Sequence, residues 1–325
     1  MEYLRGSVHK TPVITSQTTN RMTGKNVYMK LENHQKTGAF KFRGASYKIS
    51  KLNLAEIEAG VVTASAGNHA QGVALAAKKV GAKATIFMPE GTPSAKVVAT
   101  KGYGADVNLV GQSFQEAYTA SLEHKKLTGA TYIHPFDDYD IMAGQGTIGF
   151  EFLEDIPELD TIVVPIGGGG LISGIAVAAK AIKPSIKIIG VQAANAPSMF
   201  KSYYTKDDHV MLSSASTIAE GIAVKAPGML TQQVVRDYVD EIYCVSESQI
   251  ANAMIYLLER TKSLVEGAGA SALAALLAYG DKIDSTHTGV IVSGGNLDLA
   301  KMAEIQTLAA SCDHTSVEKE RISLT

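Results

Sequence analysis

Residues 161–174 read Thr161-Ile162-Val163-Val164-Pro165-Ile166-Gly167-Gly168-Gly169-Gly170-Leu171-Ile172-Ser173-Gly174. The first six are nearly continuous in apolar and β-branched side chains, the pattern of a strand covered on both faces. Leu171 to Ile182 then predicts a helix. A doubly buried strand that feeds a helix through a short turn is one β–α unit of a parallel sheet. Four glycines in that turn leave backbone N–H groups unshielded, and the helix N-terminus adds partial positive charge. Such a turn is a cradle for a phosphate or a plain flexible connection.

The same alternation extends on both sides. Upstream, strands are expected at Gly60–Thr63, Lys83–Met88, Asp106–Val110 and Thr131–His134, with helices at Ala70–Val80, Ser94–Tyr103 and Phe114–Leu127. Downstream come strands at Lys187–Val191, Glu241–Val245 and Gly289–Ser293, and helices at Glu247–Thr261 and Gly267–Ala278. Lys201 to Ile218 is polar and reads as a surface excursion. Nearer the start, Val27–Leu31 reads as a strand and Phe40–Leu52 as a helix. These early elements are expected to join the second half. The division is then a large domain of residues 1–47 and 138–325 with a small α/β domain of residues 48–137 inserted in it. Only a short helix and a charged tail follow Asn296, so no C-terminal regulatory domain is expected. The cleft between the two domains is the expected binding site.

Composition narrows the partner. The chain has 325 residues, is 46% hydrophobic and 19% charged, and carries a formal net charge of −2. Without a basic surplus, neither nucleic acid nor an anionic membrane is expected, and a small molecule is. The two cysteines, Cys244 and Cys312, lie far apart and give no ligand spacing. The longest apolar run, around Ala270 to Tyr279, is too short to span a bilayer, and the N-terminus has no apolar signal region. A cytoplasmic protein is expected.

A dinucleotide is excluded by the glycines themselves. G-x-G-x-x-G fails in both registers, because Ile172 and Ser173 stand where the third glycine belongs. G-x-x-x-x-G-K-[ST] is absent, as is the G-x-S-x-G elbow, and the eight histidines have no metal-ligand spacing. A single phosphate on a compact ligand fits better.

Two further turns follow expected strands. Ser65-Ala66-Gly67-Asn68-His69 offers a hydroxyl, free N–H groups and an amide at a helix start, either a carboxylate pocket or an ordinary N-cap. Ser293-Gly294-Gly295-Asn296 closes the last strand, as a ligand-facing turn or a plain glycine turn. Ligands of open α/β sheets sit at the C-terminal ends of strands. Asp137-Asp138-Tyr139-Asp140 reads as capping before a helix. Lys36-Thr37-Gly38-Ala39-Phe40-Lys41-Phe42-Arg43-Gly44 joins a strand to a helix and places Lys41 at the helix start, a candidate carrier of a cofactor aldehyde.

Taken together, these residues resemble the fold-type II family of pyridoxal-phosphate (PLP) enzymes. Within it the chain is similar to the threonine/serine dehydratases, above all the short catabolic threonine deaminases, which are related to serine racemase. The resemblance runs from about His9 to Leu299. It rests on the stretches 37–44, Ser65-Ala66-Gly67-Asn68-His69-Ala70-Gln71-Gly72, Ala143-Gly144-Gln145-Gly146-Thr147, the glycine turn, Glu266-Gly267-Ala268-Gly269-Ala270 and residues 293–296. It implies a tryptophan synthase β-like α/β fold: two three-layer αβα domains with mainly parallel sheets.

The implied activity is PLP-dependent β-elimination of L-threonine to 2-oxobutanoate and ammonia, with L-serine to pyruvate as a second reaction. Lys41 would hold the cofactor as a Schiff base and act as the base at Cα. Phe40 would pack beside the ring, Asn68 would bond its 3′-oxygen, and Ser293 would meet its nitrogen. Gly167, Gly168, Gly169 and Gly170 would hold the phosphate. Ser65, Ala66, Gly67, Asn68 and His69 would take the substrate carboxylate, and Glu266 would lie near the ring. A neutral serine at the ring nitrogen makes a weaker electron sink than a carboxylate would. That favours quick loss of a β-hydroxyl.

Departures sharpen the expectation. Serine racemase relatives carry a serine where this chain has Ala66, so efficient racemisation is not expected. They bind a divalent cation through acids where this chain has Gln192 and Ser198, so no metal site is expected. A homo-oligomer, dimer or tetramer, is implied, with a nucleotide effector as in some relatives. The alternatives are serine racemase, another fold-type II reaction, or a catalytically silent small-molecule-binding protein.

Overall fold

Among the described residues, the β-branched runs form ten strands: β1 (Val13–Thr15), β2 (Asn26–Leu31), β3 (Val61–Ala64), β4 (Ala84–Met88), β5 (Asp106–Leu109), β6 (Thr131–Tyr132), β7 (Thr161–Pro165), β8 (Lys187–Ala193), β9 (Glu241–Val245) and β10 (His287–Val292). The computed structural model describes residues 4–311, so Cys312 and the charged tail lie outside the described residues. Six strands make one sheet in the order β1-β2-β10-β7-β8-β9, and four make another in the order β5-β4-β3-β6. Every pairing is parallel except β1 with β2. The two earliest strands thus sit beside β10, the last one, while the four-stranded sheet lies between β2 and β7 in sequence.

All five residues of β7 are buried, as its apolar run requires. Successive side chains point to opposite faces. Val163 therefore joins a core with Val290 and the helix Gly267–Tyr279, whereas Ile162 and Val164 join another with Ile172 and Ile175 of the helix Gly170–Ile182. Each face carries helices, which gives a three-layer arrangement around the six-stranded sheet. The smaller sheet is likewise covered on both faces, one by Val73 and Ile49, the other by Ala117. The helix Lys41–Ser50 crosses the expected boundary at residue 47, and its Phe42, Ala45 and Ile49 pack into the smaller sheet's core.

The structure departs from expectation in several places. The expected excursion Lys201–Ile218 starts later: Lys201 lies in the helix Ser198–Thr205, whose Met199 and Ser202 are buried, while residues 206–218 lie outside helices and strands and are largely exposed. The expected strand Thr131–His134 ends at Tyr132, because the His134 ring turns back to bond its own chain. The helix from Glu247 is α-helical only to Tyr256 and continues as a π-helical turn, Leu257–Thr261. Among the described residues, no helix is long and apolar enough to cross a membrane.

Candidate active site

Lys41 opens its helix directly after a break in the chain direction. Thr37 is held at φ 66°, Gly38 at φ 73°, and Ala39 then forms an isolated antiparallel bridge with Gly294. The Phe40 amide donates to the Ser293 carbonyl at 3.1 Å, and the Gly295 amide to the Gly38 carbonyl at 2.9 Å. The turn after β10 is thereby stitched to the lysine-bearing turn, and Ser293 becomes a close neighbour of Lys41. The Lys41 ammonium donates to the Pro135 carbonyl at 2.6 Å and lies 5.3 Å from the Phe40 ring centre. Burial pulls its pKa from the ordinary 10.5 down to about 8, the Glu266 charge partly opposing this. With a pKa of about 8, roughly a tenth of such an amine is unprotonated at pH 7, far more than for an ordinary lysine, and that form is nucleophilic.

The second turn is not an ordinary N-cap. The helix Asn68–Val80 begins with Gly67 at its cap position and has no side-chain cap. Ser65 Oγ accepts only from the nearby Gly67 amide, at 3.3 Å. Asn68 reaches away instead: its Nδ2 donates to Glu266 Oε1 at 2.6 Å, and its Oδ1 accepts from Asn296 Nδ2 at 2.7 Å. Asn296 Nδ2 also donates to the Thr37 carbonyl at 2.7 Å, closing a chain from Glu266 back to the lysine turn. Burial raises the Glu266 carboxyl to about 7, although the Asn68 hydrogen bond works against the rise. His69 is buried and its Nε2 bonds the Ile133 carbonyl at 2.9 Å, so that nitrogen carries the proton. Burial first, and the Lys41 charge second, drop its pKa to about 3, which keeps the ring neutral.

The glycine turn is shaped by what surrounds it. A Cβ on Gly168 would lie 2.4 Å from atoms of the Phe136 ring, and one on Gly170 would lie 2.8 Å from the Phe136 carbonyl oxygen. Gly169 adopts φ +99° as the N-cap of the helix Gly170–Ile182, which has no side-chain cap. First-turn amides without a side-chain partner suit an anion. Pro135 holds the lysine amine and Phe136 covers the turn, so this one dipeptide bridges Lys41 and the glycines.

These observations meet the demands of a phosphorylated aldehyde. A buried amine of lowered pKa suits the aldehyde, an uncapped glycine turn suits the phosphate, and the hydroxyl of Ser293 and amide of Asn68 are hydrogen-bonding groups on the same set of stitched turns. The amine has one pH signature. Its reaction with an aldehyde reagent should rise with pH through about 8 and then level off, because only the unprotonated form attacks. A rate that keeps climbing toward pH 10.5, the ordinary lysine value, would contradict the placement of this amine.

Several supporting residues were not legible in the sequence. Asp137 was expected to cap a local helix, and Asp138 does cap one, through the Asp140 and Ile141 amides. Asp137 instead accepts from the Met229, Leu230 and Thr231 amides, capping a helix (Met229–Tyr238) more than ninety residues away. Behind Lys41, Arg43 is fully buried between Glu32 and Glu151 at 2.8 and 2.7 Å. The stretch 143–147 serves this helix too. Gln145 Oε1 accepts from the Gly44 amide at 3.0 Å, and a Cβ on Gly144 would lie 2.6 Å from Gly44 Cα. Gln192 and Ser198 spend their side chains on internal bonds, Gln192 with Ile166 and Phe200, Ser198 with the Val224 carbonyl.

Comparison with known proteins agrees with this geometry. Residues 4–294 match the family described as "Pyridoxal-phosphate dependent enzyme". An L-threonine ammonia-lyase of Thermotoga maritima is 48% identical over 296 residues, which cover 91% of this chain and 73% of that protein. A catabolic L-threonine dehydratase of Staphylococcus aureus is 49% identical over 92% of this chain and 87% of its own length. Among solved structures, the processed form of threonine deaminase isoform 2 from Solanum lycopersicum superposes with a TM-score of 0.90 at 38% identity, covering 93% of this chain and 84% of that one. Maize serine racemase gives 0.89 at 41% identity, covering 94% of each chain.

Proposed function

The chain belongs to the pyridoxal-phosphate dependent enzyme family, and from that premise we propose that it is a threonine ammonia-lyase that converts L-threonine to 2-oxobutanoate and ammonia, and L-serine to pyruvate. The observation that carries the reading is the Lys41 amine: lowered to about 8 by burial, and joined through Pro135 and Phe136 to an uncapped glycine turn. When bound, PLP draws electrons from the Cα–H bond of an amino acid joined to its aldehyde carbon.

The rest is the work of this chain's own groups. The amides of Gly167 to Gly170 would hold the phosphate, with Phe40 beside the ring, Asn68 at its 3′-oxygen and Ser293 at its nitrogen. Ser65 and the open first turn at Ala66, Gly67, Asn68 and His69 would receive the substrate carboxylate, favoured there by the helix dipole. In its free-base form, Lys41 Nζ would take the proton from substrate Cα; the Cα–H electron pair would form the Cα=Cβ bond as the Cβ–O bond breaks, the proton and the departing hydroxide together leaving as water. The neutral His69 adds no competing positive charge. Glu266, with its pKa near 7, fixes the Asn68 amide.

Likeness to maize serine racemase supports a second reading, racemisation. It requires an acid or base on the ring face opposite Lys41, and Ala66 has no side-chain group to supply one. We place the cofactor with the large domain (residues 1–47 and 138–325) and part of the substrate turn with the small one (48–137), supported by the two separate sheets. The cytoplasmic location, read from the apolar pattern of the sequence, and the homo-oligomer and nucleotide effector, drawn from the resemblance, belong to this proposal.

L-threonine, L-serine and D-serine assayed side by side test it. The purified protein should be yellow, release 2-oxobutanoate from L-threonine and pyruvate from L-serine, and leave D-serine unchanged. Interconversion of the serine enantiomers without keto acid would favour the racemase, and a protein that stays colourless with added PLP would exclude both.

A further inference from the structure

We propose that Thr231 and Asp137 are positioning residues that aim the amides of the glycine turn at the cofactor phosphate. The proposal rests on the PLP reading above and names the groups that make its phosphate site rigid. A turn of four glycines is intrinsically soft, since its peptide planes meet little steric resistance to rotation. An anion site built from backbone amides needs those planes fixed beforehand.

Thr231 fixes one of them. Its buried hydroxyl donates to the Gly168 carbonyl at 2.6 Å, with the Gly228 carbonyl further off at 3.1 Å. The described residues contain no cis peptide bond, so the Gly169 N–H points opposite to the Gly168 carbonyl. Holding that oxygen on Thr231 therefore turns the next amide away from Thr231, toward the open side of the turn. Thr231 also stands where a Gly169 side chain would go: a Cβ there would lie 2.8 Å from Thr231 Cβ.

Asp137 fixes Thr231 in turn. Its Oδ1 accepts from the Leu230 amide at 2.9 Å and the Thr231 amide at 3.1 Å, and its Oδ2 from the Met229 amide at 3.1 Å. The carboxylate comes so close that a Cβ on Gly228 would lie 2.2 Å from Oδ1. Asp137 is also the residue after Phe136, whose ring covers Gly168. One carboxylate thus ties down both walls of the glycine turn, Phe136 through the chain and Thr231 through its amide.

A clamp acting on the phosphate site separates two ligands that differ only in phosphate. The whole chain, stripped of cofactor, is titrated with PLP and with pyridoxal, following absorbance and intrinsic fluorescence. For Thr231→Val, which keeps the shape and removes the hydroxyl, PLP affinity should fall about tenfold while pyridoxal affinity stays within about twofold. Thr231→Ser should bind both ligands as the wild type does. Asp137→Asn should shift the same ratio in the same direction, and it carries the test if the valine variant does not fold. Equal losses for both ligands, or no loss for either, would overturn the clamp. Failure of the wild type to bind PLP would overturn the cofactor reading itself.

Discussion

Replacing Lys41 with alanine is expected to lower threonine deamination by at least about a thousandfold, because the variant loses both the covalent anchor and the base at Cα. Lys96, the other amine whose charge reaches Glu266, is paired with Glu220 at 2.7 Å. Lys41 Nζ sits at the Pro135 carbonyl beside the Phe40 ring, and its lowered pKa comes from a site from which water is largely excluded. Arg43, two residues on, is spent on carboxylates. The two imidazoles nearby, His69 and His134, are both pushed down by burial and bonded to backbone. The variant should also lack the visible absorbance of lysine-bound cofactor. Its circular dichroism should match the wild type, since the lost amine was held at a desolvation cost. Keto-acid release within about tenfold of wild type would mean that another group removes the Cα proton.

The second large effect is on stability. Arg43→Met should destabilise the fold by about 3–5 kcal/mol, the usual cost of breaking a buried ion pair from one side. The guanidinium donates to Glu32 through Nε and Nη2 at 2.8 Å, to Glu151 through Nη1 at 2.7 Å and Nη2 at 2.8 Å, and to Thr147 Oγ1 at 3.2 Å. Burial works against its charge, and Glu32 and Glu151 more than offset that, so its pKa lies above the ordinary value. Lys30, also fully buried, meets Glu151 at 3.0 Å and Asp155 at 3.4 Å. Without Arg43, the buried Glu151 keeps Lys30, while the buried Glu32 keeps the Thr11 hydroxyl at 2.5 Å and loses its cation. Denaturant unfolding would read the loss, and adding Glu32→Leu to the variant should recover part of it, since one uncompensated charge disappears. A loss below about 1 kcal/mol would show that packing, not this network, holds the lysine-bearing helix.

Much of this was legible because it is local. The β7 run, the four glycines and the following helix are a contiguous signal, and they are found at Thr161–Pro165 and Gly170–Ile182. The lysine turn, the 65–69 turn and the 293–296 turn were each readable as short strings, and the structure brings the three together through the Phe40–Ser293, Gly38–Gly295 and Asn68–Asn296 bonds. What stayed hidden is pairing across the chain. Nothing near Asp137 announces that its carboxylate serves amides at 229–231, and nothing near Arg43 announces Glu151. The antiparallel β1, three residues long, is too short for any periodicity to show. The helix Ser198–Thr205 was masked because its buried residues are mostly small or hydroxylic, so its pattern reads as polar.

The central claim is that Lys41 carries the cofactor, and mapping the attachment tests it most directly. The purified protein with PLP is reduced with borohydride, which makes a lysine-bound cofactor permanent, then digested and read by mass spectrometry. The account predicts a phosphopyridoxyl group on the peptide that contains Lys41, and on no other lysine in stoichiometric amount. Full labelling of a different lysine, or a reduced protein that carries no such group, would contradict it.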